Sequence, residues 1–291
     1  MNYFDTDTLV SRFSCLRGGT YGRSVMGRPL RLIRFGAGSR TAIFTAAHHA
    51  NEYLTASALL NCAEALARRY TEGEPGAAEL YARTRLIFVP LVNPDGAALC
   101  TGALSRGAYY ERAAAIAAQF PALPFPDGWK ANISGTDLNL QYPAGWEAAK
   151  RIKYAQGWTK PAPRDYVGLS PLCAPEARAL YALTKRLRPR CALALHSQGE
   201  VIYWEYRGYA PPGAEELAER LSAASGYALE TVPAESANAG YKDYVIDSLD
   251  VPAFTVECGR GENPLPEEQL GGISAAVEAV CGELALWCAA T

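Results

Sequence analysis

Short apolar runs alternate with amphipathic segments along most of this chain, and that alternation is the strongest constraint on its fold. The runs LRLIRFG, TAIFTAA, RLIFVPLV, CALALH, VIYWEY and PAFTVE have the length and composition of strands. Helical spacing of apolar residues appears between Leu59 and Tyr70, in PEARALYALTKRL, in AEELAERLSAA and at the C-terminus. Strands that alternate with helices predict an α/β fold, a three-layer α/β/α sandwich around a mixed, mostly parallel sheet.

Chain length and composition set the expected domain organisation. The chain has 291 residues, of which 49% are hydrophobic and 20% are charged. A chain of this kind can bury a large core, so we expect a single domain over residues 1–291. Residues 100–172 differ, because PALPFPDG, YPAGW and TKPAP are rich in proline, glycine and aromatic residues. This composition predicts a long loop region that contributes to function.

Charge and cysteine content predict which partners and compartment this chain has. The formal net charge is -2, from 28 basic and 30 acidic residues, which favours neither nucleic acid nor an anionic membrane as a partner. The N-terminus does not read as a signal peptide, and we expect no segment to approach a membrane-spanning run. The eight cysteines are scattered, so we expect reduced thiols, with Cys281 and Cys288 on the apolar stripe of a C-terminal helix. These features predict a cytoplasmic protein and leave its oligomeric state open.

Two of the three histidines, His48 and His49, stand side by side after an apolar run, and Glu52 follows three residues later. His49 and Glu52 are three apart at the start of a predicted helix, which places them on one face. His196 and Glu257 each follow another predicted strand. In open α/β sheets, ligands and catalytic groups gather beyond the carboxyl ends of the strands, so these side chains are expected at one site.

A histidine, a glutamate and a distant histidine form a three-ligand set that leaves one zinc position for water, as in catalytic zinc sites. The spacing selects His49, because His48 has Asn51 at the corresponding offset and amides are poor zinc ligands. A lone HxxE also occurs by chance, and a histidine at a strand end is usually a hydrogen-bonded core or surface residue. From spacing alone, both interpretations stay open.

Six motifs occur in an order that resembles the zinc carboxypeptidase family: GRSVMGRPL, HHANE, VNPDG, GTDLN, ALHS and FTVECG. Within that family the chain is most similar to the branch of γ-D-glutamyl-L-diamino acid endopeptidases, which act on bacterial cell-wall peptides. The segments that carry this similarity are WKANISGTDLNLQYPAGWE, HSQGEVIYW, AGYKDY and GRGENPLP. The resemblance implies the zinc carboxypeptidase fold and one zinc ion per chain.

The resemblance also implies roles for individual residues. It makes His49, Glu52 and His196 the zinc ligands, and it makes Asp137 the carboxylate that orients His49. It makes Glu257 the general base. Lys130 stands where the family usually has an arginine that stabilises the developing oxyanion, and the alternative for this residue is a solvated loop lysine.

Three departures from ordinary carboxypeptidases bear on the substrate. The arginine that binds a free C-terminal carboxylate in that family is replaced by Leu140, whereas Asn139 before it is kept. The position of the substrate-capping tyrosine falls on Glu235, so Tyr203 or Tyr241 is expected to take that role. Ordinary trimming of C-terminal residues is therefore not expected.

The third departure is Lys242, at the position that lies at the bottom of the family's specificity pocket. A cation there suits a carboxylate on the leaving side of the substrate, as in diaminopimelate. Arg260 and Asn263 follow Glu257 closely enough to share that carboxylate. The alternative for Lys242 is a structural salt bridge.

Together these features predict a zinc metallopeptidase that hydrolyses the γ-D-glutamyl bond to a diamino acid in small cell-wall peptides. Two alternatives remain open from sequence. One is a metallocarboxypeptidase that releases acidic C-terminal residues, which Lys242 also favours. The other is a catalytically silent peptide-binding relative, against which the complete set of His49, Glu52, His196 and Glu257 argues.

Overall fold

A single eight-stranded sheet forms the centre of the structure, a computed structural model that describes residues 5–234 and 236–291. The order across the sheet is β1-β2-β4-β3-β5-β8-β6-β7. Four neighbouring pairs are parallel and three are antiparallel, so the predicted mixed, mostly parallel sheet is confirmed. The strands are β1 (Leu16–Arg23), β2 (Pro29–Phe35), β3 (Arg40–Ala46), β4 (Thr84–Val89), β5 (Cys191–His196), β6 (Val201–Tyr203), β7 (Ala228–Glu230) and β8 (Ala253–Glu257).

Helices cover both faces of this sheet. The described residues form the α-helices α1 (Thr6–Arg12), α2 (Leu54–Thr71), α3 (Ala77–Arg83), α4 (Pro94–Cys100), α5 (Ala108–Ala117), α6 (Trp146–Ala155), α7 (Pro175–Leu187), α8 (Ala214–Ser225), α9 (Tyr241–Leu249) and α10 (Leu270–Ala290). On one face, Phe44 and its neighbours pack against α2, α8 and α10. On the other, Ile43 and its neighbours pack against α7 and α9. Successive residues of a strand point to opposite faces, so β3 supplies both cores, and the predicted three-layer sandwich is confirmed.

The elements that sequence patterns predicted are those with long apolar runs or clear helical spacing. All six predicted strands are present, although the run VIYWEY forms a strand only over Val201–Tyr203. Strand β1 has three glycines and two arginines in LRGGTYGR, and it lies at the sheet edge, where an apolar pattern is not required. The region 100–172 contains helices α5 and α6 between its loops, so the loop prediction there was only partly right.

The C-terminal helix corrects one expectation. The helix Glu267–Ala290 is long and apolar enough to span a membrane, by length and composition, and it is the one such helix found in the described residues. The expectation that no segment has the length and hydropathy of a membrane-spanning run was therefore wrong. Few charged residues fall in this segment, which explains its high hydropathy. In the structure its predicted stripe packs into the core as Ile273, Val277, Val280, Cys281, Leu284 and Cys288. Cys281 and Cys288 therefore behave as small apolar core residues.

We expect Phe44→Ala to destabilise the fold more than a matched surface truncation. Phe44 is fully buried and its ring stacks on Phe88 at 5.0 Å between centroids. Truncating a buried phenylalanine leaves a cavity and costs about 3–5 kcal/mol. Leu169→Ala, at a side chain that is 82% exposed, should change the free energy of unfolding by less than about 0.5 kcal/mol. Denaturant unfolding monitored by circular dichroism measures both, and equal effects would contradict this packing.

Candidate metal centre and active site

Three adjacent strand ends bring the predicted site residues together. Strands β3, β5 and β8 are parallel neighbours, so their carboxyl ends lie at the same edge of the sheet. His196 is the last residue of β5 and lies directly opposite Glu257, the last residue of β8. After β3, the chain turns through His49 into a short 3-10 helix, Ala50–Glu52, before α2 begins. The sheet order therefore explains why residues far apart in sequence meet here.

The donor atoms of His49, Glu52 and His196 have the spacing of metal ligands. His49 Nδ1 lies 2.8 Å from Glu52 Oε1, and His196 Nδ1 lies 2.9 Å from Glu52 Oε2 and 3.3 Å from His49 Nδ1. A tetrahedral zinc with bonds of about 2.1 Å separates its ligand atoms by roughly 3.4 Å. Two imidazoles and one carboxylate are also the ligand types of catalytic zinc sites. The set fits zinc in both geometry and chemistry.

Glu52 is the buried anion at the centre of this set. Besides the two histidines, its carboxylate accepts a hydrogen bond from Lys130 Nζ at 3.0 Å and one from the Ser197 N–H at 3.3 Å. Burial alone would raise the pKa of Glu52, but His49 and Lys130 beside it hold that pKa well below its usual range. The side chain is therefore ionised, as metal binding requires.

Asp137 contacts His49 on the side of the ring away from Glu52 and His196. Asp137 Oδ1 lies 3.2 Å from His49 Nε2, and the carboxylate also accepts hydrogen bonds from the N–H groups of Asn139 and Asp165, both at 3.1 Å. Because Nε2 is engaged, Nδ1 is the nitrogen that faces Glu52 and His196. Burial would lower the pKa of His49, but the charges of Glu52 and Asp137 raise it to about 10, so protons compete with a metal at this nitrogen.

His48 is a neighbour of the set and lies outside it, in agreement with the sequence prediction. Its Nε2 lies 3.2 Å from the Tyr142 hydroxyl, and its ring stacks on His196 at 5.5 Å between centroids. Burial holds the pKa of His48 well below its ordinary value, so the ring is neutral. It supports the position of His196 by packing.

A cleft of about 240 Å³ opens beside the donor atoms, and Glu257 and Lys130 both line it. Glu257 is half-buried, and burial raises the pKa of its carboxyl. A base of raised pKa is better matched to proton transfer near neutral pH. Lys130 is tied to Glu52 and is not a solvated loop lysine, which favours its interpretation as a functional cation.

Three of the six residues predicted to bind substrate also line this cleft: Asn139, Tyr203 and Lys242. Leu140 lines it too, at the position where ordinary carboxypeptidases have an arginine. Asn139 Oδ1 accepts the Tyr241 N–H at 3.0 Å. Lys242 is only 4% exposed, and its Nζ donates to Asp243 Oδ1 at 2.7 Å and to the Glu205 carbonyl. Lys242 is thus both a cleft residue and one half of a salt bridge.

The other three predicted residues do not line the cleft. Tyr241 begins helix α9 and points into the core, where its hydroxyl lies 2.8 Å from Thr184 Oγ1, so it cannot take the substrate-capping role. Arg260 is 79% exposed and pairs with Glu200 at 2.6 Å. Asn263 is hydrogen-bonded to the Ser197 hydroxyl and carbonyl. Neither Arg260 nor Asn263 is placed beside Lys242, and Glu235 lies outside the described residues.

Sequence reasoning missed a second group of charged cleft residues, Lys153, Arg164 and Asp165. Asp165 accepts from Lys153 Nζ at 2.7 Å and from Arg164 Nε at 2.6 Å. All three belong to the region that sequence composition marked as functional loops. No spacing rule connects them with the histidines, so only the region, and none of these residues, could be predicted.

Comparison with known proteins agrees with this geometry. The family model described as zinc carboxypeptidase matches residues 6–275. The chain belongs to the zinc carboxypeptidase family. This confirms the predicted family and, with the donor set above, the predicted zinc cofactor.

Individual relatives refine the comparison. The chain is 39% identical to gamma-D-glutamyl-L-diamino acid endopeptidase 1 of Lysinibacillus sphaericus over 90% of its own length, and it spans 65% of that protein. Among solved structures, carboxypeptidase A from Helicoverpa armigera matches 98% of the chain, with 71% of that protein covered, a TM-score of 0.76 and 18% identity. Murein-tripeptide amidase from Escherichia coli O157 matches 92%, with 90% covered, a TM-score of 0.53 and 21% identity. The two structures support the fold.

We expect Asp137→Asn to weaken zinc binding while the fold is kept. An amide lacks the charge that orients and polarises the His49 ring, and losing such a partner costs about 10-fold to 100-fold in metal affinity. Competition with a chromophoric chelator measures the affinity, and elemental analysis should find one zinc per chain in the parent. The control is Asp247→Asn, an exposed position on α9, which should bind zinc like the parent. Unchanged affinity in Asp137→Asn would contradict this role.

Proposed function

We propose that this chain is a zinc metallopeptidase that hydrolyses the γ-D-glutamyl bond to a diamino acid in bacterial cell-wall peptides. The observation that carries the proposal is the meeting of His49, Glu52 and His196 in one donor set, with Glu257 on the next strand end facing the same cleft. This is the arrangement that metal-assisted hydrolysis of an amide requires.

Three residues of this chain have separate roles in the proposed reaction. When bound, zinc supplies the Lewis acidity that activates a water and polarises the scissile carbonyl. Glu257 accepts the proton of the attacking water and passes it to the leaving nitrogen. Lys130 donates a hydrogen bond to the carbonyl oxygen as negative charge develops on it. Asp137 keeps the His49 ring oriented throughout.

Three observations support a cell-wall peptide as the substrate. Leu140 in the cleft offers no charge to grip a free C-terminal carboxylate at the usual position. Lys242 places a cation in the cleft, with two of its three N–H donors engaged by protein oxygens. The 39% identical relative is named for cleavage between D-glutamate and a diamino acid, and one structural neighbour is named for murein tripeptide. We propose L-alanyl-γ-D-glutamyl-diaminopimelate as the type of substrate.

A mixture of substrates tests this proposal against the alternatives. The zinc-loaded chain is incubated with the γ-D-glutamyl tripeptide and with ordinary peptides that end in aspartate or glutamate, and the products are identified by mass spectrometry. Release of free diaminopimelate, abolished by a chelator, is the expected result. Preferential release of acidic C-terminal residues would favour the carboxypeptidase alternative, and binding without cleavage would favour a silent relative.

We also propose a cytoplasmic location. All eight cysteines are unpaired thiols, and seven of them are buried, which supports a reducing compartment. Cell fractionation followed by immunodetection checks this, and recovery of the protein in an exported fraction would contradict it.

Glu257→Gln should keep zinc and fold but lose most turnover. The amide cannot accept a proton, and removal of a general base costs about 10²-fold to 10⁴-fold in rate. The measurement is kcat on the γ-D-glutamyl tripeptide, with zinc content determined in the same preparation. The matched control is Glu200→Gln, a partly exposed glutamate paired with Arg260, which should retain kcat. Near-normal turnover in Glu257→Gln, or a loss of turnover in Glu200→Gln, would contradict the assignment of Glu257 as the general base.

Lys242→Met should reduce discrimination between substrates that end in diaminopimelate and those that end in lysine. A charge-assisted hydrogen bond contributes about 1.5–3 kcal/mol, so the ratio of kcat/KM values should fall about ten-fold to a hundred-fold. Methionine keeps most of the buried volume, and a ratio within one variant is insensitive to lost stability. Lys160→Met, on the exposed surface, is the control. If Lys242→Met keeps the parent's ratio, Lys242 is only a salt-bridge partner of Asp243.

A further inference from the structure

Arg164 occupies a fixed position at the wall of the cleft. The carbonyl of Pro163 accepts the N–H groups of both Lys130 and Ala131 at 2.8 Å. On the other side of Arg164, the N–H of Asp165 donates to Asp137 Oδ2 at 3.1 Å. The backbone around Arg164 is therefore tied to Lys130 at one end and to Asp137, which orients His49, at the other. These bonds fix the position of the Arg164 backbone at the cleft wall.

The guanidinium of Arg164 is held by one edge, which leaves its other edge for a ligand. Its Nε donates to Asp165 Oδ2 at 2.6 Å, and Asp165 Oδ1 is in turn held by Lys153 Nζ at 2.7 Å. In the described part of the chain, no protein atom accepts a hydrogen bond from the terminal Nη nitrogens of Arg164. Its side chain is 40% exposed and lines the cleft. The free edge of a planar guanidinium is the group best shaped to bind a carboxylate through two hydrogen bonds.

The other cations of the cleft are engaged differently. The Lys153 side chain is 8% exposed and its Nζ is bound to Asp165, and Lys130 is bound to Glu52. Lys242 lies on helix α9, a different element, and pairs with Asp243. Among the described residues of the cleft, Arg164 is thus the cation that lies next to Lys130 and has one edge of its guanidinium free of hydrogen bonds to the protein.

The proposed substrate carries a carboxylate that fits this position. A bond made through the γ-carboxyl of glutamate leaves its α-carboxylate free, three carbon atoms from the scissile carbonyl and on the acyl side of the bond. Lys130 is assigned to that carbonyl, and Arg164 is next to Lys130. We infer that Arg164 binds the free α-carboxylate of the D-glutamyl residue and so selects γ-linked over ordinary peptide bonds, an inference that rests on the proposed function.

Two peptides that differ in one group test this inference. One is L-alanyl-γ-D-glutamyl-diaminopimelate, and the other carries the α-amide of the glutamyl residue in place of its carboxylate. The parent should prefer the carboxylate about ten-fold to a hundred-fold in kcat/KM, as a charge-assisted pair predicts. Arg164→Ala should lose most of this preference, and Arg164→Lys should keep part of it. Arg151→Ala is the control, because Arg151 is exposed and two residues from Lys153 on α6, off the cleft face.

Two further measurements separate substrate binding from a structural role. Arg164→Gln keeps a hydrogen-bond donor for Asp165 without the charge, so it should retain zinc and fold but lose the preference. Calorimetry in the Glu257→Gln background should show tighter binding of the carboxylate peptide, and this difference should disappear when Arg164→Gln is added. If Arg164→Gln keeps the parent's preference, the inference is wrong while the proposed function stands. A parent that cleaves neither peptide contradicts the proposed function itself.

Discussion

The buried carboxylate of Glu52 is the interaction on which the rest of the site depends. An ionised carboxylate out of water is stable only when opposite charges and hydrogen-bond donors surround it. Glu52 has His49 and His196 within 3 Å, Lys130 at 3.0 Å and the Ser197 N–H at 3.3 Å. These partners come from the turn after β3, from the end of β5 and from the long loop region. Without the sheet order β4-β3-β5-β8 they would not meet, so the metal site depends on the topology of the sheet.

The cleft combines this donor set with a balanced array of charges. Each of the four lining cations has a carboxylate partner: Lys130 pairs with Glu52, Lys153 and Arg164 with Asp165, and Lys242 with Asp243. Such pairing fixes the side chains before a substrate arrives, which reduces the ordering cost of binding. Arg164 and Lys242 lie on separate elements and each has hydrogen-bonding capacity left. A peptide with a carboxylate on either side of its scissile bond matches that arrangement, whereas a simple C-terminal residue would leave one cation without a ligand.

Sequence predicted the parts of this protein that obey local rules. The ends of three predicted strands brought His49, Glu52, His196 and Glu257 to attention, because parallel strands place such residues at one edge, and the family resemblance then assigned their roles. Local sequence patterns do not predict the position of a side chain that is set by tertiary contacts. Tyr241 is directed into the core because α9 begins there and buries its first turn, which no local pattern reveals. Arg164 is brought to the cleft by hydrogen bonds of its two neighbours, since the Pro163 carbonyl accepts from the Lys130 N–H and the Asp165 N–H donates to Asp137. Its sequence neighbourhood of prolines and charges resembles any surface loop.

Anomalous diffraction at the zinc absorption edge tests the central claim most directly. The account predicts one strong peak per chain, about 2.0–2.2 Å from His49 Nδ1, a Glu52 carboxylate oxygen and His196 Nδ1, with Glu257 across the remaining position. A peak bound through other residues, or no peak in zinc-reconstituted crystals, would contradict it.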